Sequence, residues 1–125
     1  VISGKFMGEK GVSTHHIRTE YYDVSLNSGS VTIDTDPGST AFLFLILGNA
    51  EIHDRMVPEK TAVLFGEGDS VTVTAGKNGC RFMFLSARPL NEGISWGGPI
   101  VMNTKEELQQ AFTDLRSGNF LKHSV

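Results

Sequence analysis

The stretch Ala41 to Ile52, AFLFLILGNAEI, constrains this chain more than any other. Its first seven residues are uninterruptedly apolar, so as a strand it can bury both faces. A run that short, rich in Phe and Ile and bounded by turn residues, fits a strand better than a helix and marks the centre of a β core. Asp36-Pro37-Gly38-Ser39 ahead of it is a turn signal. Gly48-Asn49 is expected to bend the chain, with Ala50 to Ile52 continuing as a return strand.

The rest of the chain reads as short strands around that centre. Tyr22, Val24 and Leu26 alternate onto one face, Asn27-Ser28-Gly29-Ser30 ends that strand, and Val31-Thr32-Ile33 alternates again. Gly4 to Gly11 is a glycine-punctuated turn with Phe6 and Met7 available to cover an edge. Thr61 to Phe65, Ser70 to Thr74 and Cys80 to Ala87 supply further strands, with turns at Gly66 to Asp69 and Ala75 to Gly79. Many short strands without intervening helices predict an antiparallel sandwich or barrel. The period then changes. Thr104 and Glu107 form a capping box, and Leu108, Ala111, Phe112 and Leu115 make one apolar stripe, so a helix is expected from about Lys105 to Arg116 with Gly118 as its left-handed stop. Such a stripe must be covered by the sheet or by a partner.

Several function classes are disfavoured by what the residues lack. With 125 residues the chain is expected to be a single domain, 1–125. A net charge of -3 with both signs scattered gives no footprint for direct nucleic-acid binding. The single cysteine, Cys80, and apolar runs far shorter than a membrane span predict a cytoplasmic protein without a membrane role. Gly66 and Gly68 precede a strand, so they are no phosphate loop. His15 and His16 are adjacent and point to opposite faces of any strand, which prevents both from holding one metal. His53 beside Asp54 has no nucleophile nearby and reads as part of a solvated connection.

The tail carries a more specific pattern. Gly98-Pro99-Ile100-Val101-Met102-Asn103-Thr104, followed by Glu106-Glu107, Gln110-Ala111-Phe112, Asp114 and Gly118-Asn119-Phe120, resembles the closing signature of the pirin family of bicupin proteins. Ile2 to Gly4, Tyr22 to Leu26, Pro37-Gly38 with Ala41-Phe42, Leu47-Gly48, Gly68-Asp69, Arg81-Phe82 and Pro89 to Glu92 are similar, in order, to landmarks of that family's C-terminal domain. Gly93 departs, where the family has proline. The resemblance implies an all-β cupin fold, a double-stranded antiparallel β-sandwich curled into a jelly-roll barrel, with one C-terminal amphipathic helix.

Pirins resemble one another in carrying iron, held by three histidines and a glutamate, in an N-terminal cupin domain that this chain does not match. Laid on this chain, the general cupin motif places its glutamate slot on Ala41, two histidine slots on Asp34 and Asp36, and the late histidine slot on Gly79. None is a usual ligand of its type. No cofactor and no catalytic or metal-ligating residue are therefore expected. The leading expectation is a non-catalytic cupin domain acting as a small-molecule binding or protein-interaction module. Two alternatives stand beside it: a metal-dependent dioxygenase of quercetin 2,3-dioxygenase type, drawing ligands from unmatched positions such as His15 or His16, and a C-terminal fragment of a two-domain pirin. The transcription-cofactor role that the resemblance implies for eukaryotic pirins depends on residues outside this chain, and the start at Val1 without methionine is equally consistent with trimming, an imposed boundary or a fragment of a longer chain.

If Ala41 faces inward, alternation predicts which side chains line the interior. Leu43, Leu45 and Leu47 share that side, and matching parity on the late strand adds Gly79, Arg81, Met83 and Leu85. A candidate pocket of Leu43, Leu45, Arg81, Met83 and Leu85 would suit a small apolar acid. The same parity sends Phe42, Phe44, Ile46, Phe82 and Phe84 outward, where a single helix covers only part of them. With Trp96 at the rim, these residues are the candidate face of a two-fold homodimer.

Overall fold

The computed structural model describes residues 1–122 and divides into two compact units, Val1–Pro89 and the segment from Leu90 onward. In the first unit, β1 (Lys5–Phe6) and β2 (Glu9–Lys10) form a small hairpin. A six-stranded antiparallel sheet follows: β3 (Thr19–Leu26), β4 (Ser30–Asp34), β5 (Thr40–Ile52), β6 (Arg55–Val57), β7 (Thr61–Leu64) and β8 (Ser70–Ala87). No helix among the described residues is long and apolar enough to cross a membrane.

Two long strands organise this sheet, and both are longer than alternation and turn residues suggest. Gly48-Asn49 does not turn the chain. β5 runs through it to Ile52, with register shifts between Leu45 and Leu47 and between Gly48 and Ala50. The turn falls at His53-Asp54, whose φ values of 51° and 59° fit a two-residue hairpin of the type that matches strand twist. Likewise Ser70–Thr74 and Cys80–Ala87 join into the single strand β8 across Ala75 to Gly79. β4 pairs with the first half of β8 and β3 with the second, while β6 and β7 pair with opposite ends of β5. Ile33, Val71, Val73, Ala50 and Ile52 from one half meet Leu43, Leu45, Tyr22, Phe82 and Phe84 from the other in one buried cluster. The two halves of the sheet therefore face each other across a shared core, as an antiparallel sandwich requires.

Glycines at the bend explain how both strands change direction. Gly48 has φ 75° and a side chain there would run into the Gly79 carbonyl; Gly79 has φ 77° and a Cβ on it would lie 2.6 Å from the Leu26 carbonyl oxygen. Only glycine fits where three backbones approach this closely. The irregularity also shifts the alternation. Val71 and Val73 point inward before it, whereas Cys80, Phe82, Phe84 and Ser86 point inward after it.

That shift corrects the parity expected from the sequence. Phe82 and Phe84 are fully buried rather than outward, and Arg81, Met83 and Leu85 lie on the other face rather than inside. A one-residue slip in a strand exchanges its faces completely. Leu43 and Leu45 are buried as expected, but Leu47, just past the first register shift, is 50% exposed.

The second unit is a hairpin and a helix. β9 (Ser95–Gly97) pairs with β10 (Ile100–Met102), and α1 (Lys105–Ser117) packs on that hairpin, with the Phe112 ring against Gly97. The capping box is present: the Glu107 amide donates to Thr104 Oγ1 at 3.2 Å and Glu107 Oε2 accepts from the Thr104 amide at 3.1 Å. Gly118, with φ 77°, closes the helix by donating its amide to Leu115. The stripe is thus covered, in part, by its own unit; Ala111 is buried while Leu115 stays half-exposed.

Candidate functional site

The expected late histidine slot, Gly79, lies beside Gly48, seven positions along β5 from the expected glutamate slot, Ala41, at the start of that strand, so the cupin slots do not converge. Ala41 is buried there and lines a cleft of about 270 Å³ together with Thr35, His53, Phe65, Glu67 and Asp69. The sequence places His53 in a solvated connection. It is exposed, but its tight turn brings the imidazole within 6.3 Å of the Phe65 ring, centroid to centroid, at the cleft wall. No local signal announces that, because the turn carries neither Asn nor Gly.

The residues at the four cupin slots do not fit a transition metal. Ala41 contributes a methyl group. Asp34 is exposed at the end of β4. Asp36 accepts from the Gly38 amide and pairs with Arg88 at 3.2 Å; the amide first, then the guanidinium, hold its carboxyl below the ordinary carboxylate range. Gly79 admits no side chain at all, since a Cβ would press on the Leu26 carbonyl. His15 and His16 are both exposed. Among the described residues, no group of three or more His, Cys, Asp and Glu side chains could hold a metal ion.

The expected interior pocket is dispersed by the parity shift. Leu43 and Leu45 remain inside, each beside its fully buried β8 partner, Phe84 and Phe82 respectively. Arg81 instead lies on the outer face, where its Nε and Nη2 donate to the two carboxylate oxygens of Asp23 at 3.0 and 2.6 Å. This fork-to-carboxylate pairing is the strong form of an ion pair. The hydrogen bonds from Arg81 lower the Asp23 pKa below its usual value and raise that of the guanidinium.

The outer face that results is apolar across four strands in one row and mixed in the next. In register, Tyr21, Leu85, Phe42 and Leu64 form one row, and Asp23, Met83, Phe44 and Ala62 the next. Phe42 and Phe44 are exposed at 39% and 37%, Leu64 is exposed at 74%, and Met83 and Leu85 are half-buried. Of the residues expected on this face, Phe42 and Phe44 are there, Ile46 sits half-buried at the register shift, and Phe82 and Phe84 are inside. Trp96 is exposed at 74% on the β9–β10 hairpin of the other unit, with its indole Nε1 donating to the Gly98 carbonyl at 2.6 Å. Leu64, Met83 and Leu85 join the face only through pairing register, which a single sequence does not display.

Comparison with known proteins follows the same lines. Residues 21–121 match the family model of the pirin C-terminal cupin domain. Human pirin is 37% identical over 124 residues, covering 94% of this chain and 42% of that protein. A pirin-like protein of Caulobacter vibrioides is 36% identical over 101 residues, 80% of this chain and 36% of that one. The crystal structure of quercetin 2,3-dioxygenase from Acinetobacter baumannii aligns with a TM-score of 0.84 at 31% identity, over 95% of this chain and 42% of the enzyme. The chain spans less than half the length of these relatives.

Proposed function

Because this chain belongs to the family of pirin C-terminal cupin domains, we propose that it acts as a non-catalytic interaction module, using the outer face of β3, β8, β5 and β7 to bind a second copy of itself. The observation that supports this reading is the contrast between a filled interior and an apolar exterior. Leu43, Leu45, Phe82, Phe84, Ile33 and Val73 have no exposure, whereas Phe42, Phe44 and Leu64 present apolar surface to solvent. Contiguous apolar patches of that kind mark association sites on soluble proteins. The Asp23–Arg81 pair at the margin supports a two-fold arrangement: a face carrying both signs can meet its own copy with acid opposite base, as an isologous interface requires.

The dioxygenase activity named for the Acinetobacter relative is not carried over. Ala41 and Gly79 offer no ligand atoms, and Asp36 is committed to Arg88 and the Gly38 amide. Purification without chelator followed by elemental analysis tests this part. About one iron, copper, nickel, manganese or zinc per chain, lost on replacing His15 or His16, would restore the metalloenzyme reading.

Self-association is tested by light scattering at high micromolar concentration. A dimer mass that reverts to monomer in Phe42→Ser/Phe44→Ser is expected. A soluble monomer with no dye-binding apolar surface would overturn the proposed face.

A further inference from the structure

The first hairpin sets two lysines directly opposite one another. Lys5 on β1 and Lys10 on β2 are cross-strand partners, and like charges in that relation weaken a strand pair. Neither takes part in any ion pair among the described residues. Both line a cleft of about 330 Å³, along with Gly4, Ser13, Thr14 and Arg18. Arg18 is 80% exposed at its side chain, and its contact with Glu20 is loose, at 3.4 Å. Through Glu20 the chain carries Lys5, Lys10 and Arg18 against Glu9 and Glu20, a local charge of +1 in a protein whose total is -3.

The walls of this cleft are held in place. The buried Ser3 hydroxyl lies 3.0 Å from the Val12 carbonyl and 2.8 Å from that of Thr19, tying both sides of the loop to the chain start. Thr14 Oγ1 accepts from the Thr19 amide at 3.2 Å, which fixes the loop internally. An ordered frame carrying two unpaired ammonium groups, a guanidinium and the Ser13 hydroxyl is suited to an oxyanion, the Ser3, Thr14 and Thr19 hydroxyls being committed to carbonyl groups. Lysine acts on phosphate as a point charge and arginine as a fork, and together they match a dianion better than a single carboxylate.

We propose that this cleft binds a small phosphate monoester, with Lys5 and Lys10 supplying most of the attraction and Arg18 and the Ser13 hydroxyl orienting the group. The site is separate from the sheet face assigned to self-association, so either reading can fail without the other. It explains why the hairpin keeps a like-charge pair: the repulsion is relieved when the dianion is bound.

The test is a titration of the isotope-labelled protein followed by amide NMR, using inorganic phosphate, glycerol 3-phosphate and citrate in turn at low ionic strength. Saturable shifts at Lys5, Lys10, Ser13 and Thr14 are expected with the two phosphates. They should weaken by about tenfold or more in Lys5→Gln/Lys10→Gln, given the usual strength of hydrogen bonds to charged groups, and weaken again with added salt. In the absence of anion the same double variant should melt no lower than the parent, because a repulsion is removed. Shifts that do not saturate, or that are the same size in the double variant, would overturn the site. Tighter binding of citrate than of glycerol 3-phosphate would overturn the phosphate assignment.

Discussion

The two faces of the β5–β8 pair are made of the same kinds of residue and differ in nearly everything else. On the inner face Leu43 and Leu45 lie against Phe84 and Phe82, all with no exposure; on the outer face Phe42 and Phe44 lie against Leu85 and Met83, and the two phenylalanines remain 39% and 37% exposed. Apolar area removed from water stabilises a fold by roughly 25 cal/mol per Å². Area left in water contributes nothing until something covers it. The difference shows that residue type does not tell a core from an exposed face; the pleat does, and the pleat is set by register.

The largest expected effect comes from exchanging equivalent residues across that sheet. Phe84→Ala should lower unfolding stability by about 3–5 kcal/mol, the usual range for truncating a buried phenylalanine, whereas Phe44→Ala, 37% exposed, should lower it by only about 1–2 kcal/mol when measured on monomer. Urea unfolding with unchanged m values checks both. Equal losses would break the contrast, since they would mean the outer face is buried in the folded chain as well.

A smaller effect should come from the bend that assigns the faces. Gly48→Ala combines a positive φ with a collision at the Gly79 carbonyl, so a loss of about 2–4 kcal/mol is expected, from strain of about 1–3 kcal/mol plus overpacking. Gly29→Ala, at φ 78° but with open space around it, should lose only about 1 kcal/mol. The pair of denaturation curves separates the dihedral contribution from the close approach. Similar losses at the two positions would show that the contact between strands matters little.

The smallest effect concerns the ion pair on the outer face. Arg81 holds the Asp23 pKa below its unfolded value, so the ionised pair stabilises the fold fully above the ordinary carboxylate range. That contribution is lost as pH falls through the depressed folded value. Asp23→Asn should therefore lower the melting temperature slightly at neutral pH, and the gap from the parent should narrow as pH falls below the ordinary carboxylate range. Melting curves between about pH 7 and pH 2.5 check it; a gap that widens in acid would contradict the pairing.

Much of this architecture is legible residue by residue. Tyr22, Val24 and Leu26 alternate, Thr104 and Glu107 cap a helix, Gly118 ends it, and the Gly98 to Thr104 motif with its companions points to the pirin family. Each of these rests on chemistry within a few positions of the chain: side-chain alternation, a hydroxyl reaching a nearby amide, a left-handed glycine. The His53-Asp54 turn escapes such reading, as Gly48-Asn49 has the better turn composition but only bends β5, with Gly48 paired to Cys80 of β8 and the strand resuming at Ala50.

The sequence alone determined that this chain forms an antiparallel sheet followed by a capped helix, because strand alternation and helix caps are written in local order; its cupin type came from the resemblance carried by the Gly98 to Thr104 motif. Which side of β8 enters the core was decided only by tertiary structure. Gly48 and Gly79 lie 31 residues apart, and the bend they share exists because their backbones and that of Leu26 meet. That meeting moved Phe82 and Phe84 inside, turned Arg81 outward to Asp23, and left Phe42 and Phe44 beside Leu64 on an open face. A contact between distant backbones has no local signature, so no pattern along the chain could assign it.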